Sequence, residues 1–526
     1  MRFWTPLLYS LLAASLFSAG CYFGFAQGAL TFARTSEPPF SSRPDVDSLI
    51  TGQPYEVKCA SDFSQTGASP GYLNLPELEF DLPPFEQDYL LIVGCLQGDL
   101  QQNSFSLELQ KQANNKPVRS MGTCHFIPLP AYRSTTVEPT EEARVIVEKE
   151  PSLTDPQSET GNFCFYETSD EKRRVFSLYV GNGLFGSEQA YEECETRLLS
   201  EGSHLRLWLD IKDELTTEKL SSTELKNQWK ERATHLHSCF EKLVVSTLAP
   251  WLGEVNDLDG DGKFSIVLTS RLNQLSKGTE PLVGLTWSGD YRRDLPRPYG
   301  NRADVVYLNP TINDEELVTE VLVHEYVHAL SFDLHLETMT SSQNARYEED
   351  WLNEGLAHLV ETELTGTRRN IEDRLQAFLS QPGNFPLVVS DYNRAGLWRS
   401  PGCRGATFSF LSWCKAQKRK RFIPQLFHSS STGLQGVADA TGDSFPNLFR
   451  GWSSAVALET TQITSLEPGE AYQWKQAATS CHFFRISQRE GEQARVKLKN
   501  ESESGIQLTL IPLSDPKAEE ALISGN

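Results

Sequence analysis

The most informative part of this sequence is Val323-His324-Glu325-Tyr326-Val327-His328. It carries the pattern His-Glu-x-x-His inside a helical pattern that covers about residues 314–334. Side chains four positions apart lie on one face of an α-helix, so both imidazoles can approach one metal ion. A glutamate between two such histidines can act as the base for a water molecule at that ion. The stretch therefore predicts zinc ligands at His324 and His328 and a general base at Glu325.

The helix around these residues is largely apolar, which argues that the two histidines have a partner. Its apolar positions include Leu317, Val321, Leu322, Val327 and Leu330. A charge buried without a partner is strongly unfavourable. A bound metal ion supplies that partner, whereas a plain helix with two surface histidines leaves the apolar surroundings unexplained.

The third ligand separates the classes of zinc peptidase. A metzincin needs Gly three and His six residues after the second histidine, and those positions hold Ser331 and Leu334. A second helical pattern over residues 348–365 instead contains Trp351-Leu352-Asn353-Glu354-Gly355, with Glu354 26 positions after His328. This arrangement predicts Glu354 as the third zinc ligand.

Two more polar residues share the helical face of Glu354. His358 follows it by four positions and Glu361 by seven. We expect His358 to lie behind the ligands and support one of them, with Glu361 orienting it. An alternative ligand and a solvent-facing histidine remain open interpretations of His358.

The segment WLNEGLAHLVE beside HEYVH resembles the gluzincin metallopeptidases, including the WLNEG block of the aminopeptidase N-like family, although the GxMEN signature of that family is absent. The chain is more similar to the hyicolysin-like peptidase family over about residues 200–460. The supporting segments are residues 204–211, 256–262, 305–309, HEYVH, WLNEG and residues 433–452.

The resemblance implies a zincin-like catalytic domain with zinc on His324, His328 and Glu354, and with Glu325 as general base and proton shuttle. Many gluzincins have Asp four residues after the ligand glutamate, where this chain has His358. Related enzymes stabilise the tetrahedral oxyanion with a downstream Tyr or His. The candidates after WLNEG are Tyr392, Arg404 and His428, of which Tyr392 is preferred.

A short strand-like segment precedes the His-Glu-x-x-His helix. It contains Val305, Val306 and Tyr307, and we expect it to be a sheet edge on which an extended peptide substrate pairs through main-chain hydrogen bonds. A fully paired central strand is the alternative, because Val305 and Val306 also suit a core.

An acidic loop offers candidate calcium ligands at Asp257, Asp259 and Asp261. With Gly262 these residues match the first half of an EF-hand loop, but its twelfth position is Leu268 rather than Glu. An acidic turn between a helix and a strand explains the loop equally well.

The alternation of hydrophobic residues predicts an α+β protein in which β-rich domains flank the catalytic domain. The expected divisions are a signal peptide or lipoprotein signal at 1–26, a linker at 27–55, a β-rich N-terminal domain at 56–190, the zinc metallopeptidase domain at 191–460 and a C-terminal β domain at 461–526.

The N-terminal segment is apolar and carries one charge, Arg2, in residues 1–26, which predicts export. Gly24-Phe25-Ala26 fits a cleavage site, Ser18-Ala19-Gly20-Cys21 resembles a lipoprotein box, and an uncleaved anchor remains open. We expect a secreted or periplasmic protein, or a lipoprotein with membrane attachment through this segment. Of the ten cysteines, nine remain without Cys21, which allows four disulfides and one free thiol.

The net charge of -22 opposes binding to nucleic acid. Together these patterns predict an exported zinc-dependent metallopeptidase that acts as an endopeptidase on protein or peptide substrates, with Zn²⁺ and, at the acidic loop, Ca²⁺ as its metals. The alternatives are an aminopeptidase of the same zinc class and a catalytically idle surface binding protein.

Overall fold

The computed structural model describes the chain over residues 53–59, 73–83, 87–113, 124–128, 163–166, 172–181, 186–216, 222–276, 281–341, 347–418, 421–489, 491–502 and 504–513. The chain divides into two units, Met1–Ser48 and Leu49–Asn526, and every described residue belongs to the second. The predicted signal at 1–26 and nearly all of the linker at 27–55 lie outside the described residues.

The described residues contain both strands and helices, which confirms the α+β class. The strands are β1 (Tyr55–Cys59), β2 (Glu77–Asp81), β3 (Gln87–Cys95), β4 (Asn103–Ala113), β5 (Cys124–Pro128), β6 (Cys164–Phe165), β7 (Arg173–Tyr179), β8 (Tyr191–Glu201), β9 (Leu205–Asp210), β10 (Phe264–Leu268), β11 (Gly284–Leu285), β12 (Val305–Leu308), β13 (Ile463–Ser465), β14 (Ala471–Gln476), β15 (Ser480–Gln488), β16 (Glu492–Asn500) and β17 (Ile506–Leu513).

The helices cluster between β9 and β13. They are α1 (Ile211–Thr216), α2 (Ser222–Cys239), which continues through a π-helical segment (Phe240–Leu248) into α3 (Ala249–Leu252), then α4 (Glu315–Ser341), α5 (Asp350–Thr365), α6 (Glu372–Ser380), α7 (Pro401–Lys418), α8 (Phe422–Phe427), α9 (Gly433–Thr441) and α10 (Phe445–Glu459).

A seven-stranded sheet carries the His-Glu-x-x-His helix. Its strand order is β11-β12-β10-β9-β8-β6, and β7 also pairs with β8. Because side chains alternate along a strand, Ile266 and Val306 face the core shared with the helices, whereas Val267 and Tyr307 face a smaller core on the other side. Helix α4 packs on the first of these faces.

The two helices of the predicted site have definite starts and ends. The carboxylate of Asp314 accepts a hydrogen bond from the backbone N–H of Leu317, which caps the start of α4. Helix α5 ends at Gly366, whose φ of 72° is unfavourable for any residue with a side chain.

The β-rich regions at the two ends of the chain form one structure. The six-stranded sheet has the order β13-β15-β3-β17-β1-β5, and the four-stranded sheet has the order β14-β4-β16-β2. Both contain strands from before residue 130 and after residue 460, and they share one hydrophobic core. The prediction of separate domains at 56–190 and 461–526 is therefore wrong.

The boundary predicted at residue 190 is wrong as well, because β6 and β7 pair with β8 in the seven-stranded sheet. Local alternation identifies a strand but not its partner, and in the six-stranded sheet the partners of β3 are several hundred residues away in the sequence.

Seven cysteines among the described residues form no disulfide, so the four disulfides that the sequence allows are not formed. They are Cys95, Cys164, Cys194, Cys239, Cys403, Cys414 and Cys481. Cys21 lies outside the described residues, and Cys59 and Cys124 are described only in their backbones, which are partners in the register of β1 and β5.

The connection into α5 is attached to α9 through a buried carboxyl group. Glu348 Oε1 accepts hydrogen bonds from the backbone N–H groups of Gly433, at 2.7 Å, and Glu349, at 2.8 Å. Burial nevertheless raises the pKa of Glu348 to about 7, because these two hydrogen bonds only partly offset desolvation.

We expect Glu348→Gln to stabilise the protein at pH 8. The folded state binds the Glu348 proton more tightly than the unfolded state does. The contribution of this group to the free energy of unfolding is therefore highest below about pH 4.5 and declines up to about pH 7. Glutamine keeps an acceptor oxygen but cannot ionise, which removes a cost of about 3 kcal/mol at pH 8. Urea unfolding at pH 5 and pH 8 measures this, with Glu188→Gln as the exposed control. A parent and variant with the same pH dependence would refute the burial argument.

Candidate active site

Three ligand atoms from α4 and α5 converge on one point. His324 Nε2 lies 3.0 Å from His328 Nε2 and 3.4 Å from Glu354 Oε2, and His328 Nε2 lies 3.7 Å from the same oxygen. Ligand atoms bound to one tetrahedral zinc at about 2.0–2.2 Å are separated by about 3.3–3.5 Å. The spacing of these three atoms therefore fits a single zinc ion, and the three residues form a candidate metal cluster.

The hydrogen bonding of the cluster also suits a cation. Glu354 Oε2 is buried and makes no hydrogen bond of ordinary geometry, although it faces two ring nitrogens. The two Nε2 atoms at 3.0 Å can both direct lone pairs inward only if a cation lies between them. An unpaired buried acceptor costs free energy, so these atoms are arranged for a partner that the protein does not supply.

Glu361 fixes the orientation of His324. Its Oε2 lies 2.8 Å from His324 Nδ1, and its Oε1 lies 2.9 Å from His358 Nδ1. The amide of Asn370 donates to both oxygens of this carboxylate. In the neutral ring of His324, donation from Nδ1 to Glu361 leaves Nε2 as an acceptor, which is the form that can bind a metal ion.

The electrostatics follow from this network. Burial opposes ionisation of both Glu361 and His324, but their mutual attraction is stronger, so the pKa of Glu361 falls to about 2 and the pKa of His324 rises to about 9. Burial lowers the pKa of His358 to about 3, which keeps that imidazole neutral. His358 is thus a neutral hydrogen-bond partner of Glu361, with its ring centroid 4.4 Å from that of His324.

We expect Glu361→Gln to weaken zinc binding by about 10- to 100-fold, as the loss of a group that orients a metal ligand does. Glutamine offers one acceptor where His324, His358 and Asn370 require two. Chelator competition with the purified protein measures the effect. Glu363→Gln is the matched control, because Glu363 lies on the same helix but pairs with Lys415. Equal zinc affinities for the two variants would remove Glu361 from this role.

The outer oxygen of Glu354 is held by an arginine from α7. Arg404 Nη2 donates to Glu354 Oε1 at 2.7 Å, which leaves Oε2 for the metal. Burial raises the pKa of Glu354, but the charge of Arg404 and the two histidines lower it well below the usual range. The helices approach closely here because Gly355 has no side chain to collide with Thr407 and Leu411.

The three candidates for oxyanion stabilisation have different positions. Arg404 contacts the ligand Glu354 directly. Tyr392 is buried, with 2% exposure, and its backbone N–H donates to Asp350. Burial raises the pKa of its hydroxyl. His428 is exposed at the end of α8, against Phe427.

Glu325 lies in α4 next to the end of the seven-stranded sheet. It is buried, with 6% exposure, and its Oε2 accepts a hydrogen bond from Thr286 Oγ1 at 2.7 Å. Thr286 immediately follows β11. The predicted base is therefore adjacent to the metal cluster along the helix and in contact with a strand end.

The prediction that Val305, Val306 and Tyr307 form the sheet edge is wrong for Tyr307, because β11 lies outside β12 and pairs with that residue, although not with Val305 or Val306. Strand β12 pairs with β10 on one side, and its Tyr307 and Leu308 pair with β11 on the other. The carbonyl of Val305 accepts a hydrogen bond from Tyr291. In the described part of this sheet the edge is β11, a strand of two residues that hydrophobic alternation cannot reveal.

The acidic loop differs from the predicted calcium set by one residue. Asp257 and Asp259 cluster with the buried Asp304. Asp261 instead forms ion pairs with Arg206 and Arg174. Asp304 lies before β12, and no local motif connects it with the loop.

Sequence reasoning missed Thr286 and Asn370 and did not assign Arg404 to Glu354. Each acts across a tertiary contact without a motif around it.

In the described part of the chain, no helix is long and apolar enough to cross a bilayer. A scan against protein-family models gives no match, and a search among curated proteins also gives none.

Proposed function

We propose that this chain is a zinc-dependent peptidase of the gluzincin type, with a zincin-like domain built on the seven-stranded sheet, α4 and α5. The observation that carries the proposal is the convergence of His324 Nε2, His328 Nε2 and Glu354 Oε2 at 3.0–3.7 Å. The intact Glu325 favours an enzyme over an idle binding protein, since metal binding alone does not require a base.

The proposed reaction is hydrolysis of a peptide bond. Zinc held by these three residues would polarise the scissile carbonyl and make water more acidic, with a pKa near ~7. Glu325 takes the proton from the attacking water and passes it to the leaving amine. Glu361 keeps His324 in the tautomer that can bind metal through Nε2. Arg404 binds Oε1 of Glu354, so that only Oε2 of this carboxylate would contact the metal.

We propose that the substrate is an extended peptide that pairs with β11, the last strand on this side of the sheet among the described residues. Backbone N–H and C=O groups at a sheet edge bind a peptide main chain irrespective of its side chains. The chain has no GxMEN element to hold a free α-amine, which favours cleavage at internal bonds. Export through the N-terminal segment, as a secreted, periplasmic or lipid-anchored protein, remains part of the proposal.

Peptides blocked at both ends test this function. Purified protein with one equivalent of zinc is incubated with N-acetylated, C-amidated peptides, and the products are identified by mass spectrometry. We expect internal cleavage that a chelator stops and zinc restores. Release of single residues from free N-termini alone would favour an aminopeptidase, and absence of cleavage by a zinc-loaded protein would favour a binding role.

A further inference from the structure

Thr286, the residue that follows the edge strand β11, makes two contacts with the predicted base. Thr286 Oγ1 lies 2.7 Å from Glu325 Oε2 and 2.8 Å from the backbone carbonyl oxygen of Glu325. The carbonyl oxygen and the carboxylate Oε2 of Glu325 are both acceptors, so the single hydroxyl hydrogen of Thr286 is shared between them or donated to one of them. A single threonine thereby holds the carboxylate relative to the helix that carries it.

Gly284 makes room for the same side chain. It lies two positions before Thr286, and a Cβ atom built there would be 2.8 Å from Cγ and Oε1 of Glu325 and 2.6 Å from Val321. Such distances are too short for real Cβ contacts. The carboxylate therefore fits over Gly284 only because that residue has no side chain.

Thr286 and Gly284 lie next to different oxygens of the Glu325 carboxylate. Oε2 is bonded to Thr286, whereas Oε1 makes no hydrogen bond to any residue that the structure describes. A carboxylate with one oxygen fixed and the other open has a defined direction from which it can accept a proton.

We propose that Thr286 is a positioning residue that aims Glu325 for proton transfer, with Gly284 providing the space. The inference rests on the proposed function, in which Glu325 is the base. The short segment made of β11 and Thr286 would then bind the peptide and also orient the base. One segment would therefore position both the scissile bond and Glu325.

A purely structural role is the alternative, because the contact with the Glu325 carbonyl also ties β11 to α4. The two roles differ in what they change. Loss of a tie between elements lowers stability and weakens substrate binding at the edge, which raises KM. Loss of the correct orientation of the Glu325 carboxylate lowers kcat, while zinc content and KM are retained.

Thr286→Val removes the hydroxyl with little change of shape, and Thr286→Ser retains it. We expect Thr286→Val to lower kcat by about 10- to 100-fold, as a misplacement on the order of 1 Å does. KM should stay within about twofold and zinc should remain at one equivalent, because Thr286 touches no ligand. Thr286→Ser should recover kcat to within about threefold of the parent, since it keeps the donor. Thr319→Val, which removes a half-buried hydroxyl elsewhere on α4, is the matched control.

Crystal structures of the parent, Thr286→Val and Gly284→Ala give a readout that does not require activity. We expect the Glu325 carboxylate to move by about 1 Å or more in both variants. An unmoved carboxylate or an unchanged kcat in Thr286→Val would overturn the inference. If the parent binds zinc but cleaves no peptide, the proposed function fails, and the carboxylate positions still decide whether Thr286 aims Glu325.

Discussion

Glu325→Gln is expected to keep one zinc per chain and to lose at least 10²-fold in kcat. The side chain accepts a hydrogen bond from Thr286 and is not one of the three converging ligands. Glutamine can still accept that hydrogen bond, so the site should keep its shape. It cannot take a proton from water, so only the chemical step is affected. Metal analysis and steady-state kinetics on a blocked peptide measure the two quantities.

Glu316→Gln is the control for this experiment, because Glu316 lies on the exposed start of the same helix and pairs with Arg369. It should behave as the parent does. A Glu325→Gln protein that cleaves as fast as its parent would eliminate Glu325 as the base, and loss of its zinc would mean that Glu325 takes part in binding the metal.

Glu354→Ala is expected to abolish zinc retention during purification. The substitution removes one of three ligands and also leaves Arg404 with its guanidinium facing the site unpaired, which opposes a cation. His358→Ala should weaken zinc binding only about 10- to 100-fold, because His358 contacts Glu361 rather than the converging atoms.

Chelator competition ranks these two variants, and Lys415→Met serves as the control because it breaks a neighbouring pair between α5 and α7, with Glu363. If His358→Ala lost zinc completely while Glu354→Ala retained it, His358 would be the ligand and the gluzincin interpretation would fail.

Part of the candidate site was accessible from the sequence, because His324 and His328 are four apart and helical periodicity places them on one face. Glu354 lies on another helix, so its approach to the two histidines depends on how α4 and α5 pack. The role of Glu361 was only half predicted. Its contact with His358 follows from spacing within α5, but its contact with His324 depends on how α4 and α5 pack.

The sheet edge and the β-rich regions were not accessible in the same way. Val305 and Val306 are apolar at an edge or in a core alike, so composition could not show that β11 covers β12. Likewise β3 pairs with β15 and β17, more than 380 residues away in the sequence, and local alternation contains no record of such pairing.

The central claim is that one zinc ion binds His324, His328 and Glu354. Diffraction from crystals of the purified protein, recorded on both sides of the zinc absorption edge, tests it most directly. We expect a single anomalous peak within about 2.0–2.2 Å of His324 Nε2, His328 Nε2 and one Glu354 oxygen. Absence of a peak from a protein supplied with zinc, or a peak bound by His358 and Glu361 instead, would contradict it.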